Sequence, residues 1–267
     1  MVQQIIFVLV SALALGYAAR QFWRVRRNIL LGKEDLEKVD SARAWQNVLL
    51  VAFGQKKMFK RWIPAVFHFF IYAAFLLTQV ELIEIFIDGI GGVHRFFAPM
   101  LGAFYTFLIS FIEILSLLAF IATLIFLARR NLLKVPRFHM DEMTGWPKLD
   151  GNIILYLEIL LLIGIFSMNG ADVLLQQMDP THYASTGTLA VSSWLGPMLF
   201  GGLDADTLHL IERGGWWLHI LVVFGFLNYL PHSKHLHILL AFPNTYYARQ
   251  SSRGEMENMP EIMNEVK

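Results

Sequence analysis

Five long apolar runs constrain this 267-residue chain more than any other feature of its sequence. They occupy residues 5–22, 64–88, 100–127, 152–175 and 215–237, and each reaches the length of about 18 residues that marks a candidate transmembrane helix. Inside lipid every backbone polar group must be paired within its own segment, so such runs fold as helices. The sequence therefore predicts an all-α integral membrane protein, with a bundle of five transmembrane helices in residues 1–243 and a polar tail over 244–267.

The composition agrees with a membrane location. Hydrophobic residues make up 56% of the chain and charged residues only 16%, and the mean hydropathy is +0.50. A formal net charge of +1, without an extended basic patch, argues against nucleic-acid binding. Because there is no cysteine, this chain can hold no iron–sulfur cluster through its own thiolates. Any such cluster would have to belong to a partner.

Basic residues flank the apolar runs on alternating sides and so predict a topology. They follow the first run, precede the second and follow the third: Arg20, Arg24, Arg26, Arg27 and Lys33; Lys56, Lys57, Lys60 and Arg61; Arg129 and Arg130. By the positive-inside rule these flanks are cytoplasmic, which places the N-terminus outside and the C-terminus in the cytoplasm. The first run lacks the basic start of a cleaved secretory signal. We expect the bacterial cytoplasmic (inner) membrane.

Two segments between the runs are predicted not to span. Residues 34–62 begin, directly after Lys33, with the charged stretch EDLEKVDSARAW and are predicted to form an amphipathic segment on the cytoplasmic membrane surface. The stretch SSWLGPMLFGG is apolar, but its glycines and proline interrupt it, so it is predicted to be surface-lying or re-entrant and not a sixth span.

The fifth run contains two histidines that suggest metal ligation. His219 and His237 are separated by about five helical turns, so they fall on one face of a regular helix about 27 Å apart, close to the thickness of a hydrocarbon core. Pro231 lies between them and is predicted to kink the helix, so the register is approximate. One face with two depths offers two possible haem sites.

His68 is the predicted partner of His237. It lies about one turn inside the cytoplasmic end of the second run and therefore at a depth similar to that of His237. A low-spin b-type haem needs two axial nitrogens that face each other across the iron, and facing helices of a bundle can supply them. The alternative is that each is an interfacial histidine whose polar tip reaches the headgroups.

A family resemblance sharpens this interpretation. The stretch HILVVFGFLNYLPHSKHLHILLAFPNTYY resembles the last helix of the respiratory nitrate reductase gamma subunit family, and IPAVFHFFI around His68 resembles the start of that family's second helix. Within the superfamily, WWLH and SKHLH are most similar to membrane cytochrome domains related to heterodisulfide reductase. The matching positions in the last helix are His219, Pro231, Ser233, Lys234 and His237.

The resemblance implies a cytochrome b that serves as the membrane subunit of a respiratory quinone-linked oxidoreductase complex. Such a subunit holds one or two b-type haems and passes electrons between menaquinone or ubiquinone and a cysteine-rich iron–sulfur subunit on the cytoplasmic side. The resemblance also implies that His68 and His237 are the ligands of the inner haem. A non-redox membrane anchor or proton-coupled transporter with interfacial histidines is the alternative, and it predicts a colourless protein.

The outer haem is in doubt because Thr78 stands where the family has a histidine in its second helix. Either the outer haem is absent, which leaves His219 as a quinone-site or structural residue, or His94 replaces the missing ligand; His209 is the weaker replacement. His235 competes with His237 for the inner haem, but the two point about 200° apart on a helix, so only one can face His68. A metal site built from His232, His235 and His237 has no recognisable zinc spacing.

Acidic residues in and beside the apolar runs are candidates for proton transfer. Glu113 and Glu158 fall inside predicted spans, where an ionisable side chain is costly. Glu81, Glu84 and Asp88 form a stripe at the outer end of the second span, either a solvated rim or a proton exit beside an outer quinol site. Arg95 is expected near that site or near a haem propionate. Inner propionates have further candidate partners, which also fit a purely topogenic role: Lys56, Lys57, Arg61 and Lys234.

Overall fold

The computed structural model describes residues 1–33, 39–133, 135–251, 254 and 259–266. Part of the predicted amphipathic segment (residues 34–38), Lys134, and parts of the predicted tail (residues 252–253, 255–258 and 267) lie outside the described residues. The helices are α1 (Val2–Ile29), α2 (Ser41–Asn47), α3 (Trp62–Leu77), α4 (Gln79–Gly91), α5 (Ala98–Leu101), α6 (Ala103–Asn131), α7 (Trp146–Met178), α8 (Ser192–Phe200), α9 (Ala205–Tyr229), α10 (His237–Tyr246) and α11 (Pro260–Val266).

Five helical segments are long and apolar enough to cross a membrane, which confirms the prediction of an all-helical chain with five such segments. No strand occurs among the residues that the structure describes. The segments are Val2–Ile29, Trp62–Gly91, Ala103–Asn131, Trp146–Met178 and Ala205–His232. This arrangement is compatible with a multi-pass membrane protein.

The fifth span differs from the predicted helix at both ends. It starts at Ala205, about ten residues early, because the Asp204 carboxylate caps it by accepting from the Thr207 N–H at 2.9 Å. The α-helix ends at Tyr229, since Pro231 has no N–H to continue it, and two 3-10 turns lead to a separate helix at His237. The five-turn register between His219 and His237 therefore does not hold.

The second span consists of two helices. Helix α3 ends at Leu77 and α4 begins at Gln79, with Thr78 between them. The Thr78 hydroxyl donates a hydrogen bond to the Phe75 carbonyl at 3.2 Å, so its side chain is occupied by its own helix. Its side chain thus supports the junction between the two helices.

The described residues form two compact units, of which the first contains the five spans. It comprises Met1–Gly32 and Arg61–Leu236. Helix α7 packs against α9, α8 also packs on α7, and α3 packs on α6, while α1 lies against α4 and α9. One apolar core lies among α1, α4, α7 and α9, and its buried members are Phe7, Ile85, Leu162, Ile165, Met168, Trp216, Ile220 and Phe224.

The second unit joins the segment after α1 to the C-terminal part of the chain. It comprises Lys33–Lys60 and His237–Lys267. Phe53 packs against Phe242 with ring centroids 5.0 Å apart, and Trp45 packs edge-on against Tyr246 at 5.4 Å. The predicted amphipathic segment is helical here over α2 and a following π-helical turn, Val48–Phe53. Residues 244–246 of the predicted tail are also helical, as part of α10, because their apolar neighbours pack on this segment.

The two ends of the five-span unit carry opposite charge. At one end of the unit, the end of α9 contacts the start of α7, because the Tyr229 hydroxyl donates to Asp150 at 2.5 Å. The end of α6 also contacts the start of α7, because Arg130 donates to Asn152 at 3.2 Å. We call this the basic end, because the arginines in the last turns of α1 and α6 belong to it. The opposite end, where α4 and α7 finish, is the acidic end: it carries Glu81, Glu84, Asp88, Asp172 and Asp179.

Glycines set the close approach of α7 and α9. A Cβ on Gly215 would lie 2.7 Å from the Gly164 carbonyl oxygen and 2.7 Å from the Met168 nitrogen, both backbone atoms that cannot rotate away. The neighbouring Gly214 has no heavy atom within 4 Å of its ideal Cβ. Of these two adjacent positions, only Gly215 requires glycine for packing.

We predict that Gly215→Ala destabilises the protein by about 1–3 kcal/mol, because the added methyl group forces the two helices apart. The matched control Gly214→Ala should be neutral or slightly stabilising, because alanine is the better helix former in open space. Thermal unfolding of both variants in detergent measures the difference. Equal midpoints would contradict the close packing of α7 on α9.

Candidate functional site

A buried polar cluster lies at the acidic end and is centred on Arg95, which is 5% exposed. One terminal nitrogen of its guanidinium donates to Asn169 at 2.7 Å and to Asp172 at 3.0 Å. The other donates to the Tyr105 hydroxyl at 3.2 Å, and that hydroxyl donates to Glu84 at 2.7 Å. We call these five residues the Arg95 cluster; it joins the loop after α4 to α6 and α7.

The acidic stripe of the second span holds the loop that carries Arg95. Arg95 has a φ of +54°, a left-handed conformation that is uncommon for a residue with a side chain. The Asp88 carboxylate accepts from the backbone N–H groups of Arg95 at 2.9 Å and Phe96 at 3.1 Å, and Glu84 accepts from that of Phe97 at 2.8 Å. Glu81 and Glu84 are only 3% and 4% exposed, so the stripe is not a solvated rim.

The charge of Arg95 is well supported by its surroundings. Burial by itself would lower the pKa of the guanidinium, but Tyr105, Asp172 and Glu84 around it keep that pKa well above its usual value. The opposite charge of Asp172 lies fully buried beside it. The cluster therefore contains a buried ion pair that is also hydrogen-bonded, the form in which buried charges are tolerated.

His94 belongs to the same network. Its Nε2 lies 3.0 Å from the second oxygen of Asp172, and its ring packs edge-on against Tyr183 with centroids 4.7 Å apart. Its Nδ1 is buried and has no hydrogen-bond partner in the part of the chain that the structure describes. His94 thus has one ring nitrogen committed to Asp172 and one that can take up a proton or a ligand.

A cavity of about 700 Å³ opens beside His94 at the acidic end. Its floor is aromatic, with Phe7 of α1 and Trp216 and Trp217 of α9 in mutual ring contact. Its polar lining includes three histidines, a tyrosine, two aspartates and an arginine: His94, His182, His209, Tyr183, Asp88, Asp179 and Arg213. An apolar floor with a few convergent polar groups is typical of a small-molecule site. We call it the acidic-end cavity.

Hydrogen bonds order the rim of the acidic-end cavity. The Tyr183 hydroxyl and His209 Nδ1 are 2.9 Å apart, and His182 Nδ1 lies 2.8 Å from an oxygen of Asp179. The hydroxyl of Thr181 and the ring of His182 hold the pKa of Asp179 below its usual range. Burial raises the pKa of Tyr183, so its hydroxyl stays protonated and can donate or accept.

Behind the acidic-end cavity lies a small pocket of about 20 Å³, large enough for one water molecule. Asp88, His94, Arg213 and Trp216 line both spaces. Glu81 lines only the inner one, and both of its carboxylate oxygens are buried without a hydrogen-bond partner among the described residues. Glu81 is therefore a buried acid that can exchange a proton without breaking a hydrogen bond.

Glu113 has a structural position. Its carboxylate accepts from the backbone N–H groups of Val191 at 2.8 Å and Ser192 at 3.1 Å, from the Ser192 hydroxyl, and from Asn169 at 3.3 Å. The two backbone donors belong to the first turn of α8, where a negative charge is favourable. Glu113 thus anchors helix α8, whereas Glu158 on α7 is half-buried and makes no such bonds within the described residues.

The remaining candidate histidines lie in different parts of the fold. His219 is buried on α9 with Nδ1 3.2 Å from the Leu161 carbonyl oxygen, an arrangement that leaves Nε2 for a metal. His68 is half-buried on α3, and His235 lies in a 3-10 turn against Phe226. His237 begins α10 in the second unit, so its pairing with His68 stays a prediction. No group of three histidines or acids that could hold a metal ion occurs among the described residues.

The structure does not bring His94 and His219 together. His94 contacts Asp172 and His219 contacts Leu161, and both of these partners lie on α7. They are separated by about three helical turns, or about 16 Å along the helix axis. The two rings are therefore too far apart to be axial ligands of one haem in this conformation.

Several members of the site were missed by the sequence analysis. Asn169 and Asp172 lie three residues apart in the string SMNGAD, inside an otherwise apolar span, and this spacing places them on one helix face. That signal could have identified them as partners of a buried cation. Tyr105 and Glu212 are also buried polar residues at the acidic end, but nothing in their local sequence distinguishes them.

Comparisons with known proteins point to redox enzymes. The chain is 27% identical over 216 residues to a probable iron-sulfur-binding oxidoreductase, FadF, of Bacillus subtilis, a match that covers 80% of this chain and 28% of that protein. It is 25% identical over 230 residues to an EtfAB:quinone oxidoreductase of Syntrophomonas wolfei, covering 84% of this chain and 30% of that protein. The chain thus spans less than a third of the length of these relatives.

No family model and no solved structure matches the chain. The two relatives support a relationship to redox oxidoreductases and not specifically to the nitrate reductase gamma family.

We predict that Glu113→Ala destabilises the protein by more than about 3 kcal/mol, because several buried donors each lose about 1–3 kcal/mol when left unpaired. Glu158→Ala, a matched loss of a carboxylate in another span, should change stability by less than about 1 kcal/mol. Chemical denaturation of both variants in mixed micelles measures the two values. A small effect at both positions would contradict the role of Glu113 as an anchor of α8.

Proposed function

We propose that this chain is the membrane subunit of a quinone-linked redox complex, which passes electrons between the quinone pool and an iron–sulfur partner through b-type haem. The two relatives support this proposal, since one is described as an iron-sulfur-binding oxidoreductase and the other as a quinone oxidoreductase. Because this chain contains no cysteine, thiolate-bound clusters would belong to a partner or to a further domain.

The observation that carries the proposal is the acidic-end cavity with Glu81 behind it. A quinone offers a flat apolar ring, which suits the floor of Phe7, Trp216 and Trp217, and two oxygens that need hydrogen-bond partners. His209 and Tyr183 lie together on the rim and can serve one of those oxygens. Oxidation of a quinol releases two electrons and two protons, so its site also needs groups that accept protons.

His94, Asp172 and Glu81 are the proposed route for those protons. His94 lines both the cavity and the inner pocket, and its Nδ1 has no other partner among the described residues. Glu81 borders the same inner pocket. In this proposal the quinol hydroxyl gives its proton to His94 Nδ1, and after the quinone has left the same nitrogen passes that proton through a water molecule in the inner pocket to Glu81. Arg95 keeps Asp172 ionised beside the histidine and so favours uptake of the proton.

We propose that His68 and His237 hold the haem, as the family resemblance implies. Haem supplies a one-electron carrier of adjustable potential when it is bound. The donor chemistry is suitable, because both residues are histidines, whose imidazole nitrogens are common ligands of haem iron. Since Thr78 is occupied within its helix and His94 lies far from His219, we favour a single haem, with His235 as the alternative to His237.

The sidedness follows from the charge of the two ends. The basic end carries the arginines that flank three spans, so we place it in the cytoplasm, together with the iron–sulfur partner. The acidic-end cavity then faces the outside of a bacterial cytoplasmic membrane. Protons from a quinol would be released there, on the side opposite to the electron acceptor.

The absorption spectrum tests the haem. We predict a dithionite-reduced b-type spectrum for the purified protein and its loss in both His68→Ala and His237→Ala, because a low-spin haem needs both axial ligands. His182→Ala, at an exposed position on the rim, is the control and should keep the spectrum. A colourless protein from haem-supplied cells would favour the alternative of a non-redox anchor or transporter, and a spectrum that both ligand variants retain would reject this ligand pair.

Quinol-driven reduction tests the acidic-end site. We predict that Glu81→Gln keeps the spectrum but lowers the rate of haem reduction by a soluble quinol about 100-fold, because a general base typically contributes about 10²–10⁴-fold. Glu158→Gln should keep the wild-type rate, since that residue lines neither space of the site. Equal rates in all three proteins would exclude Glu81 from proton transfer.

A further inference from the structure

A second large cavity lies at the basic end, remote from the Arg95 cluster. Its volume is about 480 Å³, and it is bounded by the start of α3, the end of α6, the loop after it, the start of α7 and the 3-10 turn before α10. Five basic residues line it: Arg61, Arg129, Arg130, Arg137 and Lys234. The described lining includes no carboxylate. We call it the basic-end cavity.

Three of the arginines that line this cavity have no counter-charge among the described residues. No hydrogen bond or ion pair joins the side chains of Arg61, Arg129 and Arg137 to any residue that the structure describes. Arg130 is held by neutral groups only, since it donates to the Asn152 side chain at 3.2 Å and to the Lys148 carbonyl at 3.2 Å. So many clustered positive charges without a counter-charge repel one another and favour an anion between them.

The acid at the start of α7 attracts Arg130 electrostatically but forms no ion pair with the other arginines of the cavity in the described chain. Asp150 is buried, and its two oxygens accept from the Tyr229 hydroxyl at 2.5 Å and the Lys234 backbone N–H at 3.0 Å. These bonds tie the end of α9 and the following turn to α7. The geometry of the cavity is therefore fixed by contacts that leave its arginines available.

The other walls of the cavity are apolar. Phe126 of α6 and Ile154 and Leu155 of α7 lie on the membrane-spanning helices, and Pro64 lies in the first turn of α3. The cavity is thus cationic toward the helix ends and apolar toward the middle of the spans. A small soluble anion would interact only with the cationic part of the cavity, whereas an amphiphile with an anionic head would interact with both the cationic and the apolar parts.

We infer that the basic-end cavity binds an anionic phospholipid, with the phosphate among Arg61, Arg129 and Arg137 and an acyl chain along Phe126 and Ile154. Guanidinium groups match phosphate oxygens in paired hydrogen bonds, and the ends of transmembrane helices lie at headgroup depth. Basic pockets between such helices are a recurrent form of headgroup site. This site is remote from the acidic-end cavity and contains neither His68 nor His237. It shares Arg61, Lys234 and His235 with the residues considered above for the haem propionates and the inner haem ligand.

Lipid retention tests the inference. The full chain is purified in detergent, freed of lipid, and titrated with phosphatidylglycerol, phosphatidylcholine or glycerol phosphate, and bound lipid is counted by native mass spectrometry. The double variant Arg129→Gln with Arg137→Gln should bind phosphatidylglycerol about tenfold more weakly, since each basic residue near a headgroup contributes several-fold. Neither arginine has a partner in the described chain, so the substitutions should leave the fold intact.

The matched control removes two charges outside the cavity, in Arg20→Gln with Arg27→Gln on exposed positions of α1. Wild-type affinity in this control, together with weak binding of phosphatidylcholine, supports the site. Equal losses in both double variants would show general surface attraction and would overturn it. Glycerol phosphate or inorganic phosphate binding as tightly as the lipid would identify a soluble anion instead, and would also overturn the inference.

Discussion

The buried ion pair of Arg95 and Asp172 is the interaction on which the acidic end depends. Neither charge has water to solvate it, so each needs the other and the neighbouring hydrogen bonds in place. Through Asn169 the network continues to Glu113, and through Glu113 to the first turn of α8. One set of polar contacts thus positions the loop after α4, helix α8 and His94. The wall of the candidate quinone site cannot change without disturbing this network.

The polarity of the five-span unit gives its two cavities different chemistry. At the acidic end an aromatic floor lies beside buried acids and histidines, a combination suited to a redox-active ring that releases protons. At the basic end unpaired arginines lie beside aliphatic walls, a combination suited to a lipid that never reacts. The same basic residues that predict orientation in the membrane can therefore also bind lipid, since both roles rest on attraction to anionic headgroups.

The sequence predicted most of the fold because apolar length is a local property. The five spans could be recognised from hydropathy, and Pro231 correctly marked a disturbance in the last one. The start of that span was wrong because it depends on a cap at Asp204, which follows a long connection of mixed character. The Arg95 cluster was predicted only in part. Arg95 and Glu84 were candidates from the sequence, but their burial depends on Asn169 and Asp172. These two residues are far along the chain, and only the folded bundle brings them near.

The close crossing of α7 and α9 limits what His219 can do. An ideal Cβ on Gly164 would lie 3.0 Å from the His219 nitrogen and 3.2 Å from its Cα, so this histidine sits where the two backbones nearly touch. Its Nδ1 faces the Leu161 carbonyl of the same neighbouring helix, which directs the opposite edge of the ring away from α7. A ligand could therefore reach Nε2 only from the side of the bundle that lacks α7. His219 has the orientation of a metal ligand but lies about three helical turns from His94. For this reason our proposal gives the haem to His68 and His237.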